Sequence, residues 1–137
     1  MKIDGQFVID TNILVYSLNK NSIFFRYSRE LITNNPGSLC LACKSVSEFV
    51  CVMSKMGLYE IVEKELGKIL SKFTILYSDS LSEELFRHLV LKYRPVGNRV
   101  YDFEIVSVML AHGITKIATI NDSDFKDIEE IEIISHL

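Results

Sequence analysis

The sequence has few cysteines, few prolines and no long apolar run. Its three cysteines are an odd number, and the N-terminus lacks the pattern of a signal peptide, so no disulfide framework is expected. No window of about 18 residues is apolar and free of charge, which predicts that the chain has no membrane span. We therefore expect a cytoplasmic protein. Both prolines, Pro36 and Pro95, are expected in turns.

One cysteine pair has the spacing of a zinc or redox motif. Cys40 and Cys43 form a C-x-x-C pair that overlaps the apolar run Leu39–Ala42. The sequence contains no second C-x-x-C or C-x-x-H pair that would complete a tetrahedral zinc site. We interpret these thiols as structural.

Composition and charge bound the class of protein. The chain has 137 residues, of which 48% are hydrophobic and 24% charged, so we expect one globular domain over residues 1–137. The formal net charge is −3, whereas a protein that binds RNA through its own surface charge is usually basic. Acids that hold divalent cations would explain this balance, because bound metal reverses the local field.

Short apolar runs alternate with segments of helical periodicity. Strands are predicted at 7–9, 39–42, 73–77 and 116–120, with a last edge strand at 130–134. A helix begins around 13–15, and further helices are predicted at 22–33, 45–56, 59–71, 81–93 and 98–112. This alternation predicts an α/β domain with a mainly parallel central sheet and helices on both faces.

Acidic residues follow the predicted strands where a site is expected. Asp10 ends the first strand, and Asn121 and Asp122 follow the fourth. The carboxyl ends of parallel strands share one edge of the sheet, so these side chains are expected on the same edge. Asp10 is also placed to cap the segment that starts at Thr11, and the sequence leaves both roles open.

Two further acids lie in helices that pack inward. Glu48 has apolar neighbours, and its spacing from Ser45 also fits a capping box, S-x-x-E. Asp102 lies in the first turn of its helix, where the helix dipole favours an acid, about one turn before the apolar Ile105. An unpaired carboxylate that faces the interior is costly, and a metal ion would offset that cost. Glu104 is expected on a different, solvated face.

The acids come from four separate segments. Asp122, Asp124 and Asp127 crowd the loop after the fourth strand, where a polar turn is the ordinary interpretation. Magnesium and manganese favour oxygen ligands, and two such ions about 4 Å apart activate a water and stabilise the leaving oxygen of a phosphodiester. The pattern therefore points to a metal-dependent phosphodiesterase if the acids converge in one cavity.

Four short motifs resemble, in order, those of the PIN-domain nucleases. They are FVIDTN at 7–12, SEF at 47–49, YDF at 101–103 with AHG at 111–113, and TINDSDF at 119–125. The resemblance runs across almost the whole chain. It implies a three-layer α/β/α sandwich that cleaves single-stranded RNA with Mg²⁺ or Mn²⁺. It also implies a likeness to VapC-type toxins, which pair with an antitoxin protein and often form homodimers.

The resemblance also assigns the site residues. It implies the catalytic acids Asp10, Glu48, Asp102, Asp122 and Asp124, and the metal ligands Asp10, Glu48, Asp102, Asn121, Asp122 and Asp124. Thr11, Asn12 and Thr119 would support them by hydrogen bonds. The chain departs from the family at Asn121, where many relatives have Asp. The sequence therefore leaves open which of Asn121, Asp122 and Asp124 is the fourth ligand, and whether one or two metals bind.

An acidic pocket needs nearby cations if RNA is to reach it. We expect Arg94, Arg99 and Lys44 to contact phosphates. Arg26 and Arg29 lie near other site elements, and a solvated surface is the alternative for all five. Tyr16 and Phe24 could stack on bases, although aromatic residues in this context are also typical of a core.

Two rival interpretations remain at this stage. A phosphatase of the haloacid-dehalogenase kind also begins with an Asp after its first strand, but it needs a second Asp where this chain has Asn12. A catalytically weakened PIN fold that binds RNA or protein is the other alternative, and Asn121 is its main support.

Overall fold

Five short strands build one parallel sheet in residues 2–136, the part of the chain that the computed structural model describes. The strands are β1 (Phe7–Ile9), β2 (Leu39–Ala42), β3 (Thr74–Leu76), β4 (Lys116–Ala118) and β5 (Glu132–Ile134). They lie in the order β3-β2-β1-β4-β5, and every neighbouring pair is parallel. The predicted parallel sheet is therefore confirmed, with β5 as an edge strand.

Helices connect the strands. They are α1 (Thr11–Tyr16), α2 (Phe25–Thr33), α3 (Cys43–Lys55), α4 (Tyr59–Lys72), α5 (Ser80–Tyr93) and α6 (Arg99–Ala111). One turn of 3-10 helix, Asp122–Asp124, follows β4. No helix in residues 2–136 combines the length and hydropathy that crossing a bilayer requires.

Two hydrophobic cores, one on each face of the sheet, make the three-layer α/β/α architecture. Phe7 and Ile9 of β1 point to a core that is closed by helices α1 to α4. Val8 points to the opposite core, which is closed by α5 and α6. All three side chains are fully buried, as expected for a strand covered on both faces. The predicted sandwich is confirmed.

Several element boundaries differ from the predicted ones. Helix α2 begins at Phe25 rather than at residue 22, because the Phe24 amide bonds the Ser22 hydroxyl in a preceding turn. Helix α3 begins at Cys43, so Ser45 lies inside the helix and cannot cap it. The Ser45 hydroxyl has no hydrogen-bond partner in residues 2–136, and the predicted capping box with Glu48 is wrong.

The strand order places a crevice between the ends of β1 and β4. From β1, the strands β2 and β3 extend the sheet in one direction, whereas β4 and β5 extend it in the opposite direction. Ile9 pairs with Ala118, and the Asp10 amide donates to the Ala118 carbonyl at 2.9 Å. Sites in open parallel sheets form where the strand order reverses in this way. The residues after β1 and β4 therefore meet at one edge, as predicted.

Candidate active site

Asp10 follows β1 and holds its carboxylate between two donors at this edge. Oδ1 accepts from the Thr11 amide at 2.8 Å and caps α1, and Oδ2 accepts from the Thr119 hydroxyl at 2.9 Å. Burial raises the pKa of Asp10, the two hydrogen bonds lower it, and the charge of Asp124 raises it. Asp10 thus caps a helix and also presents an oriented carboxylate among other acids.

Thr119 joins the two strand ends. Its buried hydroxyl donates to Asp10 and accepts from the Asn121 amide at 3.0 Å. Thr119, which the resemblance names as a supporting residue, therefore hydrogen-bonds the first acid. Asn121 is exposed, and its contact with this group is made by the backbone amide.

Glu48 reaches the same edge from α3. Its Oε1 is buried and has no hydrogen-bond partner in the described residues. Burial raises the pKa of Glu48, and the charge of Asp10 raises it further, while Lys44 lowers it. A buried carboxylate oxygen without a hydrogen-bond partner lowers the stability of the fold. A bound ligand at Glu48 would offset that cost.

Asp102 reaches the edge from the first turn of α6, on the opposite side of the sheet from α3. Burial and the negative charges of Asp124 and Asp10 raise its pKa to about 7, against the lowering effect of Arg99. The Glu48 charge also raises the pKa of Asp102. Charges act on one another's pKa mainly when they lie near each other, so these acids lie around one region of the sheet edge.

The loop after β4 supplies one more acid to this group. Asp124 raises the pKa of both Asp10 and Asp102. Asp122 instead lies with Oδ1 3.5 Å from His136 Nδ1, and its charge raises the pKa of the Tyr27 phenol. The structure therefore brings Asp124 to the other acids and turns Asp122 toward a different neighbourhood.

Thr11 and Asn12 lie beside the acids without fixed partners. The Thr11 hydroxyl approaches Glu48 closely enough to lower its pKa, but neither the Thr11 Oγ1 nor the Glu48 Oε1 has a well-formed hydrogen bond within residues 2–136. Both polar atoms of the Asn12 amide are also buried without a partner in residues 2–136. These groups are free to bond a ligand rather than only to brace the acids.

Lys44 is engaged by two residues that sequence reasoning did not connect with it. Its Nζ lies 3.3 Å from a Glu104 carboxylate oxygen and 4.0 Å from the centre of the Tyr101 ring. Glu104 also raises the pKa of Glu48, so the prediction that Glu104 lies on a separate solvated face is wrong. Its position two residues after Asp102 in α6 is the only feature of the sequence that indicates that Glu104 lies near the acids.

The two arginines on either side of the α5–α6 loop differ. Arg99 donates from a guanidinium nitrogen to the Asp124 carbonyl at 2.8 Å, packs over Phe103, and lowers the pKa of Asp102. It therefore lies at the acids. Arg94 is exposed at the end of α5, with a left-handed φ of 47°.

The remaining predicted RNA contacts lie around α2. Arg26 is exposed and pairs with Glu30 at 3.0 Å, and Arg29 donates to the Ser17 carbonyl at 3.2 Å. Tyr16 and Phe24 are half-buried and pack on each other, with ring centres 5.2 Å apart. In the part of the chain that the structure describes, neither arginine forms an ion pair with the clustered acids.

The donor set suits a hard divalent cation, although it is not preassembled. No Lys, Arg or His of residues 2–136 forms an ion pair with Asp10, Glu48, Asp102 or Asp124. Glu48 Oε1 is buried and unpartnered, and carboxylate oxygens are the ligands that Mg²⁺ and Mn²⁺ prefer. Yet no three Asp, Glu, His or Cys side chains of the described part are close enough to hold one ion as they stand. Mutual repulsion keeps carboxylates apart when no cation lies between them.

The fold is an α/β/α sandwich, and its acid cluster forms a candidate site at the carboxyl ends of β1 and β4. The family model described as "PIN domain" matches residues 7–131. The chain belongs to the PIN-domain family. Among curated protein sequences, none matches it significantly.

Solved structures with this fold include several toxin–antitoxin proteins. A chain of VapBC2 from Rickettsia felis, bound to promoter DNA, is similar with 23% identity and a TM-score of 0.70, covering 98% of each chain. DNA-bound VapBC from Salmonella typhimurium is similar with 20% identity and a TM-score of 0.72, covering 97% of this chain and 99% of that one. VapC20 of Mycobacterium tuberculosis, described as a sarcin-ricin loop cleaving toxin, has 13% identity and a TM-score of 0.70, with 87% and 92% covered.

Proposed function

We propose that this PIN-domain protein is a metal-dependent endoribonuclease that cleaves single-stranded RNA by water attack on phosphodiester bonds. The observation that carries the proposal is the convergence of acids from four segments, in which the charges of Asp10, Glu48 and Asp124 each raise the pKa of at least one other acid of the group. Membership of a nuclease family supports the same reaction class. A group of uncompensated carboxylates has little structural value without a cation.

Asp10, Glu48 and Asp102 would hold the metal, with Asp124 as the fourth acid. We favour Asp124 over Asp122 because its charge acts on Asp10 and Asp102. Bound Mg²⁺ or Mn²⁺ supplies positive charge where negative charge develops on the phosphate oxygens during hydrolysis. The Thr119 and Thr11 hydrogen bonds fix the orientation of Asp10, and its remaining lone pairs would bind the metal.

Cations near the cluster offset its repulsion of RNA. We propose that Arg99 and Lys44 contact the phosphates on either side of the cleaved bond, since both already act on the acids. Arg94, which is exposed, would contact the strand farther away. The Asn12 amide, which has no hydrogen-bond partner in residues 2–136, would bond a phosphate oxygen or the attacking water.

We further propose that the protein is the toxin of a toxin–antitoxin pair in the cytoplasm, and that it forms a homodimer. The similar structures from Rickettsia felis and Salmonella typhimurium are VapBC proteins, and a third similar structure is a toxin–antitoxin complex from Klebsiella pneumoniae. Expression of the chain alone should arrest growth, and co-expression of an adjacent small reading frame should restore it. Growth that is unaffected by the chain alone would favour an RNA-processing role.

A cleavage assay on a pool of structured and unstructured RNAs tests the reaction. The protein should cut single-stranded RNA with Mn²⁺ or Mg²⁺ and lose the activity with EDTA. Asp10→Asn and Asp102→Asn should each lower the rate about a hundredfold or more, because each removes a negative ligand. Asp127→Asn is the matched control, because Asp127 is an exposed acid in the loop after β4. This variant should cut RNA at the rate of the parent.

Other outcomes separate the rivals. Retention of RNA without cleavage would favour a binding module. Release of phosphate from small phosphomonoesters would favour a phosphatase. If both Asn variants fold and cut RNA as well as the parent does, the acids are not the site.

A further inference from the structure

A second polar group lies beside the acid cluster, in the same loop. Asp122 Oδ1 and His136 Nδ1 are 3.5 Å apart, and each atom is buried without a hydrogen-bond partner in residues 2–136. Asp122 begins the 3-10 turn that ends at Asp124, one of the clustered acids. The group therefore lies within one turn of the proposed cleavage site but points away from it.

Two aromatic rings contact the His136 imidazole. His136 lies edge-on to Phe24, with ring centres 5.9 Å apart at 88°, and to Tyr27, with centres 6.1 Å apart at 65°. Tyr16 extends this surface by packing on Phe24. A planar nitrogen heterocycle is thus held among aromatic side chains with one ring nitrogen facing a carboxylate.

Tyr27 adds a hydroxyl to the same place. Its Oη is buried and has no hydrogen-bond partner in the described part of the chain. Burial and the charge of Asp122 both raise the pKa of the phenol, so the hydroxyl keeps its proton and remains a donor. The surroundings of His136 therefore offer a carboxylate acceptor and a hydroxyl donor, and neither Asp122 Oδ1 nor Tyr27 Oη has a hydrogen-bond partner in residues 2–136.

We propose that Phe24, Tyr27 and Asp122 form a guanine-binding pocket next to the acid cluster, and that the His136 imidazole occupies it until RNA displaces it. The proposal rests on the proposed RNA substrate. Proteins read single-stranded RNA by packing splayed bases on aromatic rings and bonding their Watson–Crick edges. The Asp122 carboxylate would accept from N1–H and N2–H of guanine, and the Tyr27 hydroxyl would donate to O6.

The pattern of donors and acceptors decides against other occupants. Adenine presents an unprotonated N1 to the carboxylate, which is repulsive. Uracil offers a single N–H, and so provides one hydrogen bond where guanine provides two. An arginine guanidinium from a partner protein would bond Asp122, but it carries only donors and would leave the Tyr27 hydroxyl hydrogen unpaired. Guanine is the base that satisfies both groups.

Binding of neutral nucleosides in EDTA tests the pocket without phosphate, metal or cleavage. Guanosine should bind the parent protein, inosine about tenfold more weakly because it lacks the N2 amino group, and adenosine more weakly still. This ligand series needs no substitution, so a folding defect cannot explain it. Equal affinity for guanosine, inosine and adenosine would overturn the proposal.

Substitutions test the role of each residue. His136→Ala should tighten guanosine binding about tenfold by removing the competitor, whereas His88→Ala, on the exposed face of α5, should change nothing. Asp122→Asn and Tyr27→Phe should each weaken binding, with thermal unfolding as the check on folding. Unchanged or weaker guanosine binding by His136→Ala would contradict the displacement. Tighter binding of methylguanidinium than of guanosine would instead identify the pocket as a contact for a partner's arginine.

The two proposals fail separately. A protein that cuts no RNA but prefers guanosine keeps the pocket and loses the nuclease function. A protein that cuts RNA with no guanosine preference keeps the nuclease function and loses the pocket.

Discussion

Asp10 uses both oxygens of its carboxylate for structure, and this fixes where its remaining lone pairs point. The Thr11 amide and the Thr119 hydroxyl hold the two oxygens at 2.8 and 2.9 Å. A carboxylate with two donors is held in one rotamer, which lowers the entropy lost when it binds a ligand. The helix cap and the proposed metal ligand are therefore one arrangement, because the hydrogen bonds that begin α1 also orient the acid.

Thr119→Val tests this orientation. The substitution preserves shape at a fully buried position and removes the hydrogen bond to the Asp10 carboxylate together with the one accepted from the Asn121 amide. We expect a loss of about 1.5–3 kcal/mol in the free energy of unfolding and a weaker affinity for Mn²⁺. Urea unfolding and calorimetric titration measure the two effects.

Thr115→Val is the control for that change. Thr115 is exposed one residue before β4, so its substitution should alter stability by less than about 0.5 kcal/mol. An equal loss in the two variants would show that the Thr119 hydroxyl has no special role.

The raised pKa of Asp102 predicts how metal-free stability depends on pH. Its pKa rises from 3.8 to about 7 in the folded protein, which therefore binds the proton more tightly than the unfolded chain does. Stability attributable to this group falls as the pH rises from 3.8 to about 7. In EDTA at pH 8, Asp102→Asn should be more stable than the parent by about 1 kcal/mol, a value reduced for solvent screening at this half-buried site.

The difference between Asp102→Asn and the parent should vanish near pH 3, where both side chains are neutral. Mn²⁺ at pH 8 should raise the unfolding temperature of the parent more than that of the variant. A variant that is less stable than the parent at pH 8 in EDTA would contradict the electrostatic origin of the shift.

At the scale of elements, strands that are short and apolar throughout could be predicted with correct limits. Phe7–Ile9 and Leu39–Ala42 are strands β1 and β2 as expected, because both are buried on both faces and are bounded by polar residues. Helix starts were harder to predict. Ser45 matched a capping pattern, yet α3 begins two residues earlier, directly after β2, without a side-chain cap. The β2–α3 connection overrides the local signal there.

A capping box does form at the start of α5. The Asp79 carboxylate accepts from the Ser82 amide at 2.8 Å, and the Ser82 hydroxyl accepts from the Asp79 amide at 2.8 Å. Asp79→Ala should lower the free energy of unfolding by about 1 kcal/mol without changing Mn²⁺ affinity, because the cap is separate from the acids.

Asp127→Ala removes the same charge from an exposed position and serves as the control in thermal unfolding. Equal effects of the two substitutions would mean that charge, rather than the cap, accounts for the change. A loss of metal affinity in Asp79→Ala would indicate that the start of α5 is coupled to the site.

At the scale of the whole molecule, the order of strands converts residues far apart in sequence into one site. Asp10 and Asp124 lie at the ends of adjacent strands, while Glu48 and Asp102 come from helices in opposite layers. The alternation of strands and helices predicts this edge of the sheet, and the order of the motifs names the candidate acids, although one of them, Asp122, turns toward His136 instead. Both predictions depend only on the order of strands, helices and motifs along the chain, and not on side-chain packing.

Side-chain direction in the loop after β4 could not be inferred in the same way. Asp122 and Asp124 are equivalent in the sequence, and only the 3-10 turn separates them, sending Asp122 toward His136 and leaving Asp124 with the acids. The contact of Glu104 with Lys44 likewise depends on how α6 sits against α3. Such pairings are set by tertiary packing and leave no periodic signal.

Anomalous diffraction from crystals soaked in Mn²⁺ tests the acid cluster most directly. We expect a peak about 2.1 Å from oxygens of Asp10, Glu48 and Asp102, and its loss in Asp102→Asn crystals. The Glu48 and Asp102 side chains would rotate toward the ion, while Asp10 keeps its hydrogen-bonded orientation. A fully soaked crystal with no peak between these carboxylates, or with peaks only elsewhere, would contradict the assignment of a metal-dependent site to this edge of the sheet.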